Sequence, residues 1–281
     1  MRSSSTDSLT GSKPACPEDK NIEQHPCSGT GSVTVVGLGP GSSELLAPLA
    51  AQAIERCDVL VGYGTYMDLV PDALKQGKDH IVTGMKKELD RVNAAVDAAC
   101  EGRDTVVISS GDSGIYGMSG LVLEVLEKRE LLDDVTLNVI PGIPALAAGA
   151  ALLGAPLMHD FAVISMSDLL TPWERIESRV SHAAAADFSL VIYNPRSKRR
   201  DWQLPKALEL VREHRSPETP IGIVTSAFRE KQQIQVTTLG EVKPEDIGML
   251  SIVFIGNSQT RKVGNRILTP RGYADKYAMG K

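Results

Sequence analysis

The hydrophobic pattern changes abruptly after the first 31 residues of the chain. Residues 1–31 are rich in Ser, Gly and Pro and show no hydrophobic period, whereas Val33–Val36 begins a clear strand. A polar segment with so little apolar surface cannot offset the entropy lost on ordering its backbone. We therefore expect residues 1–31 to form a disordered tail.

Short β-branched runs then alternate with longer helical stretches, a pattern typical of a mainly parallel sheet covered by helices on both faces. The predicted strands are residues 32–36, 59–62, 105–109 and 135–140, and the predicted helices are residues 43–57, 87–100, 116–129 and 143–153. A Gly-Ala-Pro run at residues 154–156 ends the last helix. We expect the stretch from there to residue 160 to link domains 32–155 and 156–281.

The second half of the chain alternates differently. Its predicted strands are residues 161–165, 190–193, 221–225, 234–239 and 249–255, and its predicted helices are residues 172–185 and 203–213. The connection between strands 221–225 and 234–239 is too short to hold a helix, so these strands should pair antiparallel. The sequence therefore predicts an α/β fold of two domains, with a mainly parallel N-terminal sheet and a mixed C-terminal sheet.

Composition and charge exclude several classes of protein. The chain has 281 residues and a formal net charge of −5, which argues against general binding of nucleic acid. No apolar run approaches the roughly 20 residues that span a bilayer, and the N-terminus lacks the apolar core of a secretory signal. We therefore expect a cytoplasmic protein that does not bind membranes.

The four cysteines predict neither a metal centre nor a disulfide framework. They are Cys16, Cys27, Cys57 and Cys100, and none of them forms a Cys-x-x-Cys pair. We expect reduced, mostly buried thiols and no metal site.

A Gly-rich turn, Gly37-Leu38-Gly39-Pro40-Gly41, follows the first predicted strand. Glycines let a ligand approach the backbone, but such a turn can also be a plain connection between a strand and a helix. The dinucleotide fingerprint requires a third glycine where this chain has Ser42, and an acidic residue after the second strand, which ends in Val61-Gly62. An NAD site is therefore disfavoured, and the chain also lacks a P-loop sequence.

Two further loops follow strands of the first half. In the loop at residues 109–117, Asp112 could accept hydrogen bonds from a ribose or an amine, or could cap the next helix. In the loop at residues 139–145, Pro141 and Pro144 leave main-chain carbonyls free to face a ligand, or simply make a rigid start to a helix.

The second half contributes two polar motifs. Residues 193–200 leave a strand through Asn-Pro and place four cations, Arg196, Lys198, Arg199 and Arg200, within five residues. Such a run is either a solvated loop or a binding loop for anions. Residues 256–260 have the sequence Gly-Asn-Ser-Gln-Thr and follow an apolar strand. This polar motif either contacts a ligand or forms a turn or a helix cap.

These five motifs, in this order and at these separations, resemble the tetrapyrrole methylase family over residues 32–273. Residues 158–161, 167–174, 193–197, 256–260 and 270–273 are similar to the branch that methylates ring carbon 17 of precorrin-3B, or its cobalt counterpart, and contracts the macrocycle to precorrin-4 in cobalamin biosynthesis. Two positions depart from the family pattern. Leu46-Ala47-Pro48 lacks a common Thr, and Pro144 replaces a common Thr or Ser.

The resemblance implies two α/β domains with S-adenosylmethionine in the cleft between them, usually in a homodimer. The residues whose motifs match the cofactor pocket are Pro40, Ser110, Gly111, Asp112, Ile115, Pro144, Ala145, Asn194 and, more weakly, Ala227. Because the substrate bears many carboxylates, Arg196, Arg199 and Arg200 are the candidates to bind it. Ring contraction needs a general acid and base, for which the unassigned candidates are His159, Asp160, Tyr116, Asp168 and Glu174.

Three other functions remain open. The chain could be a sister methyltransferase acting on another ring carbon, a tetrapyrrole carrier without turnover, or an NAD-linked oxidoreductase. A carrier would not need the cofactor contacts offered by Gly111-Asp112, and the Gly-rich turn argues against NAD. Separate titrations with S-adenosylhomocysteine and NAD distinguish these classes.

Overall fold

A computed structural model describes residues 27–197 and 199–278. In the first half, strands alternate with helices along the chain. The elements are β1 (Ser32–Gly37), α1 (Pro48–Arg56), β2 (Val59–Tyr63), α2 (Gly64–Met67), α3 (Asp72–Lys75), β3 (Asp79–Thr83), α4 (Glu88–Cys100), β4 (Asp104–Ser109), α5 (Ser119–Lys128), β5 (Thr136–Ile140) and α6 (Ala145–Leu153).

The first sheet has the strand order β3-β2-β4-β1-β5, and all of its strand pairs are parallel. Its two faces are both buried, since Val33 and Val35 of β1 pack with α4 and α5 while Val36 faces α1. The predicted parallel sheet is therefore confirmed. Since β1 lies between β4 and β5, the loops that follow these three strands meet at one edge.

The second half forms a mixed sheet. Its elements are β6 (Gly154–Ala155), β7 (Phe161–Ser165), α7 (Trp173–Ala185), β8 (Ser189–Tyr193), α8 (Gln203–Arg212), β9 (Pro220–Thr225), β10 (Gln233–Thr238), β11 (Ser251–Ile255), β12 (Arg261–Val263), β13 (Arg266–Leu268) and α9 (Tyr273–Lys276). The sheet order is β10-β9-β11-β8-β7, in which β7 and β8 are parallel and the other pairs are antiparallel. The predicted antiparallel portion is confirmed.

Helix α6 belongs to the first half in sequence but packs on the second sheet. Its buried Leu153 lies in one apolar cluster with Val191, Val224 and Phe254, while α7 and α8 cover the opposite face of that sheet. A Cβ added to Gly149 would lie 2.8 Å from the Phe254 ring, so the helix approaches the sheet closely. The boundary at residues 155 and 156 stays a prediction.

A small third sheet, ordered β12-β13-β6, closes the junction after α6. The Thr269 hydroxyl donates to the Pro156 carbonyl at 2.7 Å and lies 2.8 Å from the Thr260 hydroxyl, and both threonines are buried. The Thr260 hydroxyl also accepts a hydrogen bond from the Asn257 amide at 2.9 Å. The motif at residues 256–260 is therefore a turn that helps to hold the junction.

Several elements differ from those predicted. Residues 43–57 form a short 3-10 helix followed by α1, which begins at Pro48 because proline lacks an N–H and is tolerated at the start of a helix. Helices α2 and α3 and strand β3 were not predicted, because they are short or largely exposed and carry no clear hydrophobic period.

The expectation of reduced thiols is wrong for Cys27 and Cys100, which form a disulfide. The backbone brings them together because the amides of Ser28 and Gly29 both donate to the Cys100 carbonyl at 3.0 Å. Cys57 is a free, buried thiol as expected, and burial raises its pKa to about 11.

The same contacts correct the expected extent of the disordered tail. Residues 27–31 are bonded to the end of α4 and its following turn, so they belong to the folded structure. Residues 1–26, including Cys16, lie outside the described residues. Within the part of the chain that the structure describes, no helix is both long and apolar enough to span a bilayer, and no cluster of His, Cys, Asp and Glu suits a metal ion.

Candidate functional site

A cavity lies between the two large sheets, where the loops after β1, β4 and β5 face those after β8 and β9. All nine residues that the sequence suggests for cofactor binding line this one cavity. Its lining is Pro40, Tyr66, Ser110, Gly111, Asp112, Ile115, Tyr116, Pro144, Ala145, Tyr193, Asn194, Val224, Ser226, Ala227, Arg229, Met249, Leu250, Ser251 and Ile252. The fold thus brings together motifs that are far apart in the chain.

The three loops of the first sheet pack backbone against backbone. Gly39 and Gly111 exchange two main-chain hydrogen bonds of 3.0 and 2.8 Å. A Cβ at Gly37 would lie 2.6 Å from both the Gly111 carbonyl oxygen and the Gly142 nitrogen, and a Cβ at Gly142 would overlap the same carbonyl. Glycine is required at these positions because the neighbouring main chain occupies the space of a side chain.

Asp112 connects two of these loops. Its Oδ1 accepts a hydrogen bond from the Gly114 amide at 2.8 Å, and its Oδ2 accepts one from the Gly142 amide at 3.0 Å. The alternative that Asp112 caps the next helix is wrong, because α5 begins at Ser119 and its N-cap residue is Met118. The carboxylate holds the loop after β4 against the loop after β5 and still faces the cavity.

Two tyrosines join the sheets on one side of the cavity. The Tyr116 hydroxyl donates to the Val163 carbonyl at 3.1 Å, and the Tyr193 hydroxyl accepts from the Leu146 amide at 2.9 Å. Their ring centroids are 5.3 Å apart. Burial raises the pKa of both hydroxyls, so both stay protonated and neutral near pH 7.

Arg229, which was not among the residues predicted from the sequence, joins the sheets on another side. From the loop after β9, its Nε donates to the Pro40 carbonyl at 2.5 Å and its Nη2 donates to the Ser110 hydroxyl at 3.2 Å. The side chain is partly buried, which lowers the pKa of its guanidinium without removing the charge. Its position two residues after Ala227 was the available signal in the sequence.

The predicted substrate arginines do not line the cavity. Arg200 donates through Nη1 to the carbonyls of Asn194 and of Met166, the latter at 3.0 Å. Arg196 donates to the Glu245 carbonyl, whereas Arg199 is exposed. These arginines lie outside the cavity because the loop folds back on itself in a turn, in which the Ser197 amide donates to the Arg200 carbonyl at 2.8 Å. The role of these arginines in binding substrate stays a prediction.

Among the five candidates for acid and base, all within the described residues, Tyr116 is the one that lines the cavity. His159 and Asp160 are exposed and contact each other, while Asp168 accepts a hydrogen bond from Gln203 at 2.8 Å. Glu174 lies in the first turn of α7. The geometry therefore assigns no catalytic residue.

The chemistry of the cavity favours binding and alignment. Over the described residues, its lining contains no cysteine, lysine or histidine that could form a covalent intermediate. It offers main-chain groups, hydroxyls, apolar side chains, one carboxylate and one guanidinium. Such a mixture suits a ligand that has both an apolar ring and charged or hydroxyl groups.

A family model for tetrapyrrole (corrin/porphyrin) methylases matches residues 32–243. The "Probable cobalt-factor III C(17)-methyltransferase" of Salmonella typhimurium is 46% identical over 241 residues, which cover 86% of this chain and 99% of that protein. The "Cobalt-factor III methyltransferase" of Priestia megaterium is 45% identical over 253 residues, covering 89% of this chain. The present chain spans about half of that second relative, 47% of its length.

Solved structures show the same similarity in three dimensions. The crystal structure of the methyltransferase CobJ superposes with a TM-score of 0.82 at 39% sequence identity, covering 86% of this chain and 100% of the other. The cobalt precorrin-4 methyltransferase CbiF superposes with a TM-score of 0.64 at 23% identity, covering 80% of this chain and 94% of the other, and therefore supports the fold alone.

Proposed function

The chain belongs to the tetrapyrrole (corrin/porphyrin) methylase family, and from this premise we propose that it methylates ring carbon 17 of precorrin-3B or its cobalt counterpart. The methyl donor is S-adenosylmethionine, and the reaction contracts the macrocycle to precorrin-4 in cobalamin biosynthesis. The observation that carries this proposal is the single cavity lined by all nine motif-matched residues. The similarity to the cobalt-factor III methyltransferases of Salmonella and Priestia supports the choice of substrate, and the Salmonella protein supports the choice of ring carbon.

The residues of the cavity fit the proposed methyl donor. Gly111 has a φ of +68°, which residues with a side chain rarely adopt, and the missing side chain lets a ligand approach the main chain of this loop. Ile115 and Pro144 offer apolar surface to the adenine, while Asn194 and Asp112 offer polar atoms to the ribose and the amino group. These residues would hold S-adenosylmethionine through main-chain groups, apolar side chains and a few polar side chains.

Bound S-adenosylmethionine supplies an electrophilic methyl group whose transfer leaves a neutral thioether. No side-chain nucleophile is needed, so the main task of the cavity is to align donor and acceptor. The rigid contacts among Gly37, Gly111 and Gly142 keep the loops from shifting. The bridges made by Tyr116 and Arg229 bring the two sheets together beside the cavity.

Ring contraction additionally requires that a hydroxyl on the macrocycle lose a proton. Tyr116 lies at the cavity with its hydroxyl donating to the Val163 carbonyl. Because burial raises its pKa, the hydroxyl stays protonated near pH 7 and is therefore a poor candidate for the base. The base is not assigned to any residue.

The direct test is to incubate the protein with S-adenosylmethionine and precorrin-3B, and in parallel with cobalt-factor III. We expect one of these macrocycles to gain a single methyl group and to change its absorption spectrum as the ring contracts. A methylated product without contraction, or methylation of another ring carbon, would instead support a sister enzyme. Binding of the macrocycle without turnover would support a carrier, and binding of NAD but not S-adenosylhomocysteine would contradict the whole proposal.

Three further statements belong to the proposal. We propose that residues 32–155 and 156–281 are the two domains, that the protein is a homodimer, and that it acts in the cytoplasm. The family resemblance supports the two domains and the homodimer. Light scattering of the purified protein tests the dimer. The Cys27–Cys100 disulfide counts against a cytoplasmic location, because disulfides are rare in reducing compartments.

A further inference from the structure

Among the described residues, two charged side chains line the cavity, Asp112 and Arg229. Both oxygens of Asp112 accept main-chain hydrogen bonds, so the negative charge is already stabilised. Within residues 27–197 and 199–278, no carboxylate forms an ion pair with Arg229. Neither charge of the cavity has an ion-pair partner among the described residues, but each oxygen of Asp112 is already engaged by a main-chain N–H, whereas Arg229 keeps N–H groups free to donate to a bound anion.

The loop after β1 is shaped around the Arg229 guanidinium. A Cβ added to Gly41 would lie 2.7 Å from Nε and 3.3 Å from Cζ of Arg229. Gly41 also has a φ of +120°, which residues with a side chain rarely adopt. The close fit of Gly41, together with the bonds to Pro40 and Ser110, holds the guanidinium at the cavity rather than out in solvent.

The hydrogen-bonding capacity of Arg229 is only partly used. Nε and Nη2 each donate to one acceptor, and no described residue accepts from Nη1. Both acceptors are neutral, although a guanidinium binds most strongly to a carboxylate through two parallel hydrogen bonds. Taking a charge out of water is unfavourable, and a bound anion would offset that cost.

We propose that Arg229 is the anion-binding residue of this cavity and receives a carboxylate of a bound ligand. The inference rests on the proposed function, because both ligands of that reaction carry carboxylates. One source is the α-carboxylate of S-adenosylmethionine, and the other is an acetate or propionate side chain of the macrocycle. In either case the anion contacts Nη1 and Nη2 while Nε keeps the Pro40 carbonyl.

The test compares Arg229→Gln and Arg229→Lys with the parent by calorimetry and steady-state kinetics. S-adenosylhomocysteine retains the carboxylate of the cofactor, whereas 5′-methylthioadenosine shares its nucleoside but lacks the amino-acid part. The matched control is Arg212→Gln, since Arg212 also donates to a main-chain carbonyl, that of Leu239 at 3.1 Å, but lies outside the cavity. Thermal unfolding of each variant checks that the protein is folded.

Two results support the proposal and identify the carboxylate. If it belongs to the cofactor, Arg229→Gln weakens S-adenosylhomocysteine at least tenfold and changes methylthioadenosine less than twofold. If it belongs to the macrocycle, both nucleosides bind as in the parent, while the KM of the macrocycle rises at least tenfold and its salt dependence decreases. Arg229→Lys should recover part of either loss, and Arg212→Gln should show neither.

Other results would overturn the proposal. Unchanged binding of both nucleosides together with an unchanged KM would show that Arg229 binds no anion. An equal loss for both nucleosides in both variants would show that Arg229 only ties the loops together. If the parent and the variants methylate the macrocycle equally well, this inference alone is contradicted. If the parent does not bind S-adenosylhomocysteine, the proposed function is contradicted as well.

Discussion

The cavity has two walls, of which one presents mainly backbone and the other mainly side chains. The first wall consists of Pro40, residues 110–112 and residues 144–145, and it presents mainly backbone held by glycine contacts and by Asp112. The second wall consists of Tyr193, Asn194, Ala227 and Arg229, and it presents mainly side chains, two of which reach across to the first half. Backbone is available at any residue, so the first wall depends on the shape of the loops. The second wall depends on the identity of individual side chains.

This difference predicts that the first wall fails through strain and the second through lost contacts. Gly142→Ala should produce the largest effect, because its Cβ would overlap the Gly111 carbonyl and crowd Gly37. We expect the free energy of unfolding to fall by about 3 kcal/mol, as for a severe overpacking. Urea denaturation measures it.

Gly120→Ala is the matched control for that substitution. Gly120 lies in α5 with nothing within 4 Å of an added Cβ, and alanine has the higher helix propensity. The control should therefore be stabilised by about 0.5–1 kcal/mol. If Gly142→Ala were as stable as the parent, the loops would be more adaptable than the comparison between the walls requires.

Substitution of Asp112 tests whether this side chain of the first wall supports the loops, binds the ligand, or does both. In Asp112→Ala the amides of Gly114 and Gly142 lose their acceptor, and the affinity for S-adenosylhomocysteine should fall by at least about 1.4 kcal/mol. Calorimetry and thermal unfolding should be measured together. An unchanged affinity with an intact fold would make Asp112 a support for the loops only.

The rim beyond the second wall offers the next test. Neutralising Arg196 and Arg199 together should lower kcat/KM by about 1–2 kcal/mol and reduce its salt dependence, if these cations attract the carboxylates of the macrocycle. Cofactor affinity should hardly move, since neither residue lines the cavity. Kinetics at two salt concentrations decide the matter. An unchanged salt response would show that Arg196 and Arg199 do not attract the carboxylates of the macrocycle.

The smallest effect is expected at Tyr116, the side chain through which the first half reaches β7. Tyr116→Phe removes one hydrogen bond to the Val163 carbonyl from a side chain that is 57% exposed. The loss of stability should be about 0.5–1 kcal/mol, and cofactor affinity should stay within twofold of the parent. A much larger fall in ring contraction than in methylation would reveal a role for the hydroxyl in proton transfer.

The contrast between the walls also explains how far the sequence alone could lead. The glycines and prolines of the first wall are conspicuous in the sequence, because few other residues allow such backbone geometry or such close approach. The antiparallel pairing of β9 and β10 followed from the length of their connection. These features depend on local rules, so the sequence was sufficient to predict them.

Features that arise from distant contacts were missed. Arg229 is unremarkable among neighbouring charged residues, and its place becomes clear only when β9 is set opposite Pro40, 189 residues earlier. The Cys27–Cys100 disulfide spans 73 residues and depends on the docking of residues 27–31 beside α4. Strands β6 and β13 pair only two residues each and carry no alternating pattern.

The pairing of β6 with β13 bears on how the chain matures during synthesis. Every strand of the first sheet is available once residue 140 has left the ribosome, whereas Gly154 and Ala155 pair with Ile267 and Leu268. Because translation proceeds from the N-terminus, α6 emerges long before the strands it will cover, with its apolar face still open to water. The growing chain therefore passes through a stage with one finished sheet and an exposed helix. At that stage the cavity is not yet formed, because its lining includes residues that follow α6 in the chain.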